Sequence, residues 1–156
     1  MILIDMTTEM LLPVVLRWTH ILSAVVAVGG LVFMRFVMAP SVRESLTDEQ
    51  HARLHEQVVG RWRKIVMACI GLLLISGTLN FLLYSVPKAR GVAAYHGLFG
   101  VKFLAAMGVF FLASALIGTS PAFQRMRDNG RRWMTINVGL AVLVILISGL
   151  LRILTL

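Results

Sequence analysis

Four apolar runs set the frame for this chain: His20–Met38, Ile65–Leu83, Leu98–Ile117 and Met134–Leu154, each roughly 19 to 21 residues long, against the roughly 20 residues of helix that cross a hydrocarbon core of about 30 Å. The sequence therefore predicts an all-α integral membrane protein, a four-transmembrane-helix bundle with spans at about 14–38, 64–84, 97–118 and 133–154. The connections are too short to hold a second domain, so residues 1–156 read as one unit. Composition agrees: 58% of the residues are hydrophobic and 14% charged, where ordinary soluble domains carry about 25% charged residues. The first partner is the lipid bilayer.

A net charge of +8 would suit a nucleic-acid partner if it were spread over one soluble face. It is not. Arg43, Arg53, Arg61, Arg63 and Lys64 lie between spans one and two, and Arg125, Arg127, Arg131 and Arg132 between spans three and four. The opposite side carries Arg17, Lys88, Arg90 and Arg152, set against Asp5 and Glu9. By the positive-inside rule the two basic loops belong in the cytoplasm and both termini in the periplasm, in a bacterial inner membrane. The opening MILIDMTTEM lacks a basic start and a small-residue cleavage site, and is not read as a removable signal. The basic excess marks topology and a contact for anionic lipid, not nucleic acid.

The first basic loop carries structure. In SLTDEQHARLHEQVVGRWRKIV, Thr47 and Gln50 have the spacing of a capping box, and Leu54, Val58 and Val59 follow at helical intervals. A short amphipathic cytoplasmic helix is expected from about Asp48 to Val59, leading into span two. His51 and His55 share one of its faces four residues apart, as two ligands of a metal site or as part of a solvated face. Cys69, the one cysteine, lies within span two and reads as a small buried residue. No phosphate loop, dinucleotide fingerprint, nucleophile elbow or CxxCH haem-attachment motif is present.

Any chemistry must then come from the few polar residues inside the spans, where an ionisable group costs about 2.5–3.5 kcal/mol on insertion scales and so marks function. These are His20, Arg35 and Lys102, with Asn80 and Asn137 as neutral companions. If span one begins near Val14, after Pro13, and span three near Gly97, His20 and Lys102 both lie roughly 8–9 Å from the same membrane face. Spans one and three run in parallel, so the two residues are expected to line one cavity. The face of His20 continues through Ser23, Ala24, Ala27 and Gly30 or Leu31, with Arg17 one turn outward; Lys102 is followed by Ala105 and Ala106. Such small residues either let helices pack closely or open a slot for a flat macrocycle. His96, at the outer start of span three, is a candidate second ligand in a bis-histidine arrangement with His20. Arg35 and Asn137 lie at similar depth in spans one and four and are expected to hydrogen-bond.

The stretch RWTHILSAVVAVGGLVFMRFVMAPSV resembles the first span of the copper resistance D family, and LTDEQHARLHEQVVGRWRKIVMACIGLLLISG and FGVKFLAAMGVFFLASAL resemble its loop, second span and third span. The related HemJ-type protoporphyrinogen oxidases are also small four-helix proteins that bind haem b, and the likeness maps their histidine onto His20, their lysine onto Lys102 and their fourth-span asparagine onto Asn137. Where those oxidases carry a histidine two residues before the lysine, this chain has Gly100, and Val138 and Gly139 stand where they follow the asparagine with Glu and Pro.

Three functions follow. The first is a haem b redox protein acting on a porphyrinogen or a quinone, with His20 (or His20 and His96) as metal ligand and Lys102 and Arg17 meeting propionates or substrate carboxylates, Lys102 serving the reaction itself. The second is copper movement, for which soft ligands are expected; Met34, Met38, Met67 and Met107 are dispersed along the spans. The third is an accessory subunit of a larger membrane complex or a homo-oligomer, using its apolar outer faces as contacts.

Overall fold

A computed structural model describes residues 2–85 and 93–154 of the chain. Helix α1 (Ile2–Phe33) continues through a π-helical turn, Met34–Met38, into α2 (Ala39–Ser45). Helix α3 (Asp48–Asn80) ends in a second π turn, Phe81–Ser85, and α4 (Ala93–Ile117) follows. A 3-10 turn at Pro121–Phe123 and the short α5 (Gln124–Asp128) lead into α6 (Gly130–Ile153). No strand occurs among the described residues. Four segments are long and apolar enough to cross a membrane: Leu11–Ser45, Asp48–Tyr84, Tyr95–Ile117 and Gly130–Ile153. Helices are the expected answer, because lipid offers no partner to a backbone N–H or carbonyl.

Two boundaries differ from expectation. The helix of span one starts well before Pro13: α1 begins at Ile2 and Pro13 lies inside it. Proline withholds a single N–H, from the Glu9 carbonyl one turn earlier, and one missing bond does not end a helix that is extended on both sides. The amphipathic segment from Asp48 to Val59 does form, but not as a separate element: it is the opening of α3 and runs unbroken into span two. Only Gly60 stands between the two parts, and a lone helical glycine costs about 1 kcal/mol relative to alanine, too little to break the helix. Its start is where the sequence placed it. Thr47 Oγ1 accepts from the Gln50 N–H at 3.4 Å while Gln50 Oε1 accepts from the Thr47 N–H at 3.1 Å, a complete capping box. Lys88 and Arg90 lie outside the described residues.

The first π turn has a local cause. Pro40 has no N–H for the Phe36 carbonyl, and its ring would clash there in a regular helix; a widened preceding turn, in which the Ala39 N–H reaches back to the Met34 carbonyl, relieves both. This turn carries Arg35.

Packing is by pairs. Helix α1 lies along α3 and α4 along α6, while the two pairs touch each other far less, through α3 with α4 and α1 with α6. Gly30 is required by the first pair: a Cβ there would overlap the six-membered ring of the Trp62 indole. In the second pair Tyr95, Ile147 and Leu151 form a buried cluster, joined by Leu98 and Phe99, with Phe81 of the second π turn packed against it. At the Arg-rich end of the bundle Arg63 Nε donates to the carbonyl of Ile117, the last residue of α4, at 2.7 Å. That bond satisfies one of the orphan carbonyls at a helix C-terminus with a cation, and fastens span two to span three.

Candidate functional site

Loose contact between the helix pairs leaves a cavity of about 2100 Å³ that runs along the bundle. His20 and Lys102 both line it, as their equal depth predicts, together with the apolar and aromatic side chains of Leu73, Phe99, Phe103 and Phe110. Ala24, Ala27 and Ala106 line it as well, whereas Gly30 serves close packing against Trp62.

The orientation of His20 is fixed by α3. Its Nδ1 lies 3.0 Å from Ser76 Oγ, and that hydroxyl donates its only proton to the Leu72 carbonyl at 2.5 Å. With its proton committed, Ser76 can only accept, so His20 Nδ1 is the donor, and in a neutral imidazole Nε2 then carries the lone pair. Ser76 is 1% exposed, so water does not compete for the contact. Gly77 makes room for the ring: a Cβ there would stand 3.1 Å from His20 Cε1 and 3.5 Å from Nδ1. One turn on, Asn80 Nδ2 donates to the Ser76 carbonyl at 2.9 Å. Ser23, on the same face of α1 as His20, is buried, but the bond goes to Ser76 on the neighbouring helix. The signal for it, a serine in an apolar helix at a depth comparable with His20, was present in ISG.

The remaining candidates separate. Arg17 and His96 are exposed and absent from the cavity wall; His96 meets the edge of the Tyr95 ring, with centroids 5.8 Å apart. The structure thus places His20 and Lys102 on the wall of one cavity and leaves Arg17 and His96 off it. His51 and His55 lie side by side on α3, ring centroids 6.1 Å apart, at the Arg-rich end of the cavity. No third metal-ligating side chain joins them among the described residues. Met34, Met38 and Met107 face the cavity, while Met67 is exposed and its sulfur accepts from Ser114 Oγ at 3.9 Å.

The expected bond between Arg35 and Asn137 does not form. Arg35 does tie span one to span four, but its Nε donates to Thr135 Oγ1 at 2.8 Å and to the Arg131 carbonyl at 3.2 Å. Thr135 and Asn137 are two residues apart, which on a helix means about 200° of rotation, so one side chain cannot serve both directions. Asn137 is 1% exposed and lines the cavity, and neither its Nδ2 nor its Oδ1 has a partner among the described residues. Such an orphaned amide costs about 1–3 kcal/mol if nothing meets it.

Residues 22–131, more than half of the chain, match the model of a family described as a domain of unknown function, DUF4149. The match takes in Ser76 and Lys102 and stops short of His20 and Asn137. Neither a curated protein nor a solved structure matches the chain.

Proposed function

The chain belongs to the DUF4149 family, and we propose that it is an integral membrane haem b-binding redox protein. The observation that carries this reading is the His20–Ser76–Leu72 relay: it holds an imidazole in one tautomer, with an unprotonated Nε2, on the wall of a cavity between helix pairs. Metal-binding histidines have this requirement, since the second ring nitrogen needs a fixed partner to orient the first. The donor set fits the group. His20 would hold the iron, Lys102 on the same cavity would meet a propionate, and Phe99 and Phe103 offer flat apolar walls. Haem supplies one-electron chemistry when bound; the chain's part is to orient it, exclude water and set its polarity. The orientation that accompanies this reading puts the Arg-rich end in the cytoplasm of a bacterial inner membrane.

Copper handling is the second reading, favoured by the presence of Met34, Met38 and Met107 on the cavity wall. A reduced-minus-oxidised visible spectrum of the detergent-purified protein decides between them. Sharp Soret and α bands that vanish in His20→Ala are expected. A colourless protein carrying stoichiometric copper would replace the haem reading with the copper one, and a colourless metal-free protein would end both.

A further inference from the structure

The cavity has a second end, chemically unlike the one that holds His20. Arg35 lies fifteen residues along the same helical span from His20, which at 1.5 Å per residue places it about 22 Å away. Around it the wall is built from Arg35 on the π turn, Arg43 on α2, Arg127 on α5, and Arg131 and Arg132 on α6. The carboxylates lining the cavity are Glu44 and Asp128, and neither forms an ion pair with these arginines among the described residues. Asp128 instead accepts from Gln124 Nε2 at 3.0 Å, and Gln124 Oε1 accepts from Arg127 Nη2 at 2.6 Å. The other terminal nitrogen of Arg127, Nη1, is buried and has no partner among the described residues. Deeper on α6, six residues or about 9 Å beyond Arg131, stands Asn137, with its whole carboxamide buried and unpartnered. Beyond Asn137 the wall turns apolar, through Ala141, Val144 and Ile145.

Read from the end inward, the wall offers guanidinium donors, then an amide with free N–H donors and a free carbonyl acceptor, then hydrocarbon. We propose that this end of the cavity is a binding site for an anionic glycerophospholipid. Its phosphate meets Arg127, Arg131 and their neighbours, an ester carbonyl accepts from Asn137 Nδ2, and an acyl chain lies between the two helix pairs. Charge complementarity identifies the occupant: arginines without a carboxylate partner among the described residues, at the polar end of a cavity between transmembrane helices, recognise phosphate and select against a headgroup that carries its own cation. The site is distinct from the one at His20 and does not depend on any cofactor there.

Native mass spectrometry of the detergent-solubilised full chain tests this, titrating phosphatidylglycerol, phosphatidylcholine and inorganic phosphate separately. One phosphatidylglycerol per chain is expected to bind at least tenfold more tightly than phosphatidylcholine, and an excess of inorganic phosphate is expected not to displace it. The double variant Arg127→Gln/Arg131→Gln should lose that preference, and Asn137→Leu, which keeps the volume and removes the amide, should weaken phosphatidylglycerol several-fold without erasing the preference. Circular dichroism checks that both variants are folded. Equal binding of the two lipids, displacement by inorganic phosphate, or folded variants that bind like the unaltered chain would each overturn the proposal.

Discussion

Ser76 accepts a hydrogen bond from His20 Nδ1 across the α1–α3 interface because its own proton is already given to Leu72. One buried hydroxyl therefore decides which nitrogen of the imidazole stays available. Serine back-bonding to the carbonyl four residues earlier is a common local habit of helices, and here it is turned to a tertiary purpose.

Removing that hydroxyl isolates its role. In Ser76→Ala the imidazole loses its orienting partner while the ligand nitrogen is untouched, and loss of such a partner typically weakens metal binding 10–100-fold. Haem titration of the purified variant should show a drop of that order with unchanged helical content. An affinity equal to that of the unaltered chain would mean that Ser76 does not orient the ligand.

The α1–α3 contact offers a paired test on adjacent glycines. At Gly30 an added methyl collides with the Trp62 ring, while at Gly29 nothing lies within 4 Å of the Cβ position. Gly30→Ala should therefore destabilise the bundle by about 1–3 kcal/mol, the usual cost of overpacking. Gly29→Ala should be neutral or stabilising by up to about 1 kcal/mol through helix propensity. Thermal unfolding in one detergent reads both, and equal midpoints for the two variants would count against the Trp62 contact.

How much of this was legible in the sequence depends on which coordinate is asked for. Depth along a span is a matter of counting at 1.5 Å per residue, and it put His20 with Lys102 and Arg35 with the start of span four. Rotation about a helix axis is not countable in the same way when a span is apolar nearly all round, because the lipid-facing and bundle-facing sides differ little in hydropathy. That is why depth alone points Arg35 at Asn137 when Thr135 receives it, and why nothing in the sequence singles out Ser76 as the partner of His20. The capping box at Thr47 was readable because it is wholly local. The Arg63 bond to the end of α4 was not, since it joins residues 54 positions apart. The family match adds a name to the middle of the chain without adding a role.

The Arg35 tie gives a coupling that can be measured. Arg35→Gln and Thr135→Val each break the 2.8 Å bond, so their effects on stability should be less than additive. Interhelical polar pairs in membranes contribute about 0.6 kcal/mol on average, and the interaction term of the double-mutant cycle should be of that size. The same cycle between Arg35→Gln and Asn137→Leu should give an interaction near zero, which separates the observed pairing from the one that depth alone suggested.

Topology follows from the same basic residues that line the far end of the cavity. Four spans bring residues 11 and 154 to one side of the membrane and the Arg43–Arg61 and Arg125–Arg132 segments to the other. The excess of arginine in those two segments favours the cytoplasm for that side. Single cysteines, introduced at Thr47 and at Leu154 in a Cys69→Ala background, make this observable, because Thr47 caps α3 in an exposed position and Leu154 closes span four at the opposite face. In intact cells an impermeant thiol reagent should label position 154 and spare position 47 until the membrane is opened. Labelling of position 47 alone would invert the orientation, and with it the side from which a phospholipid headgroup reaches Arg127 and Arg131.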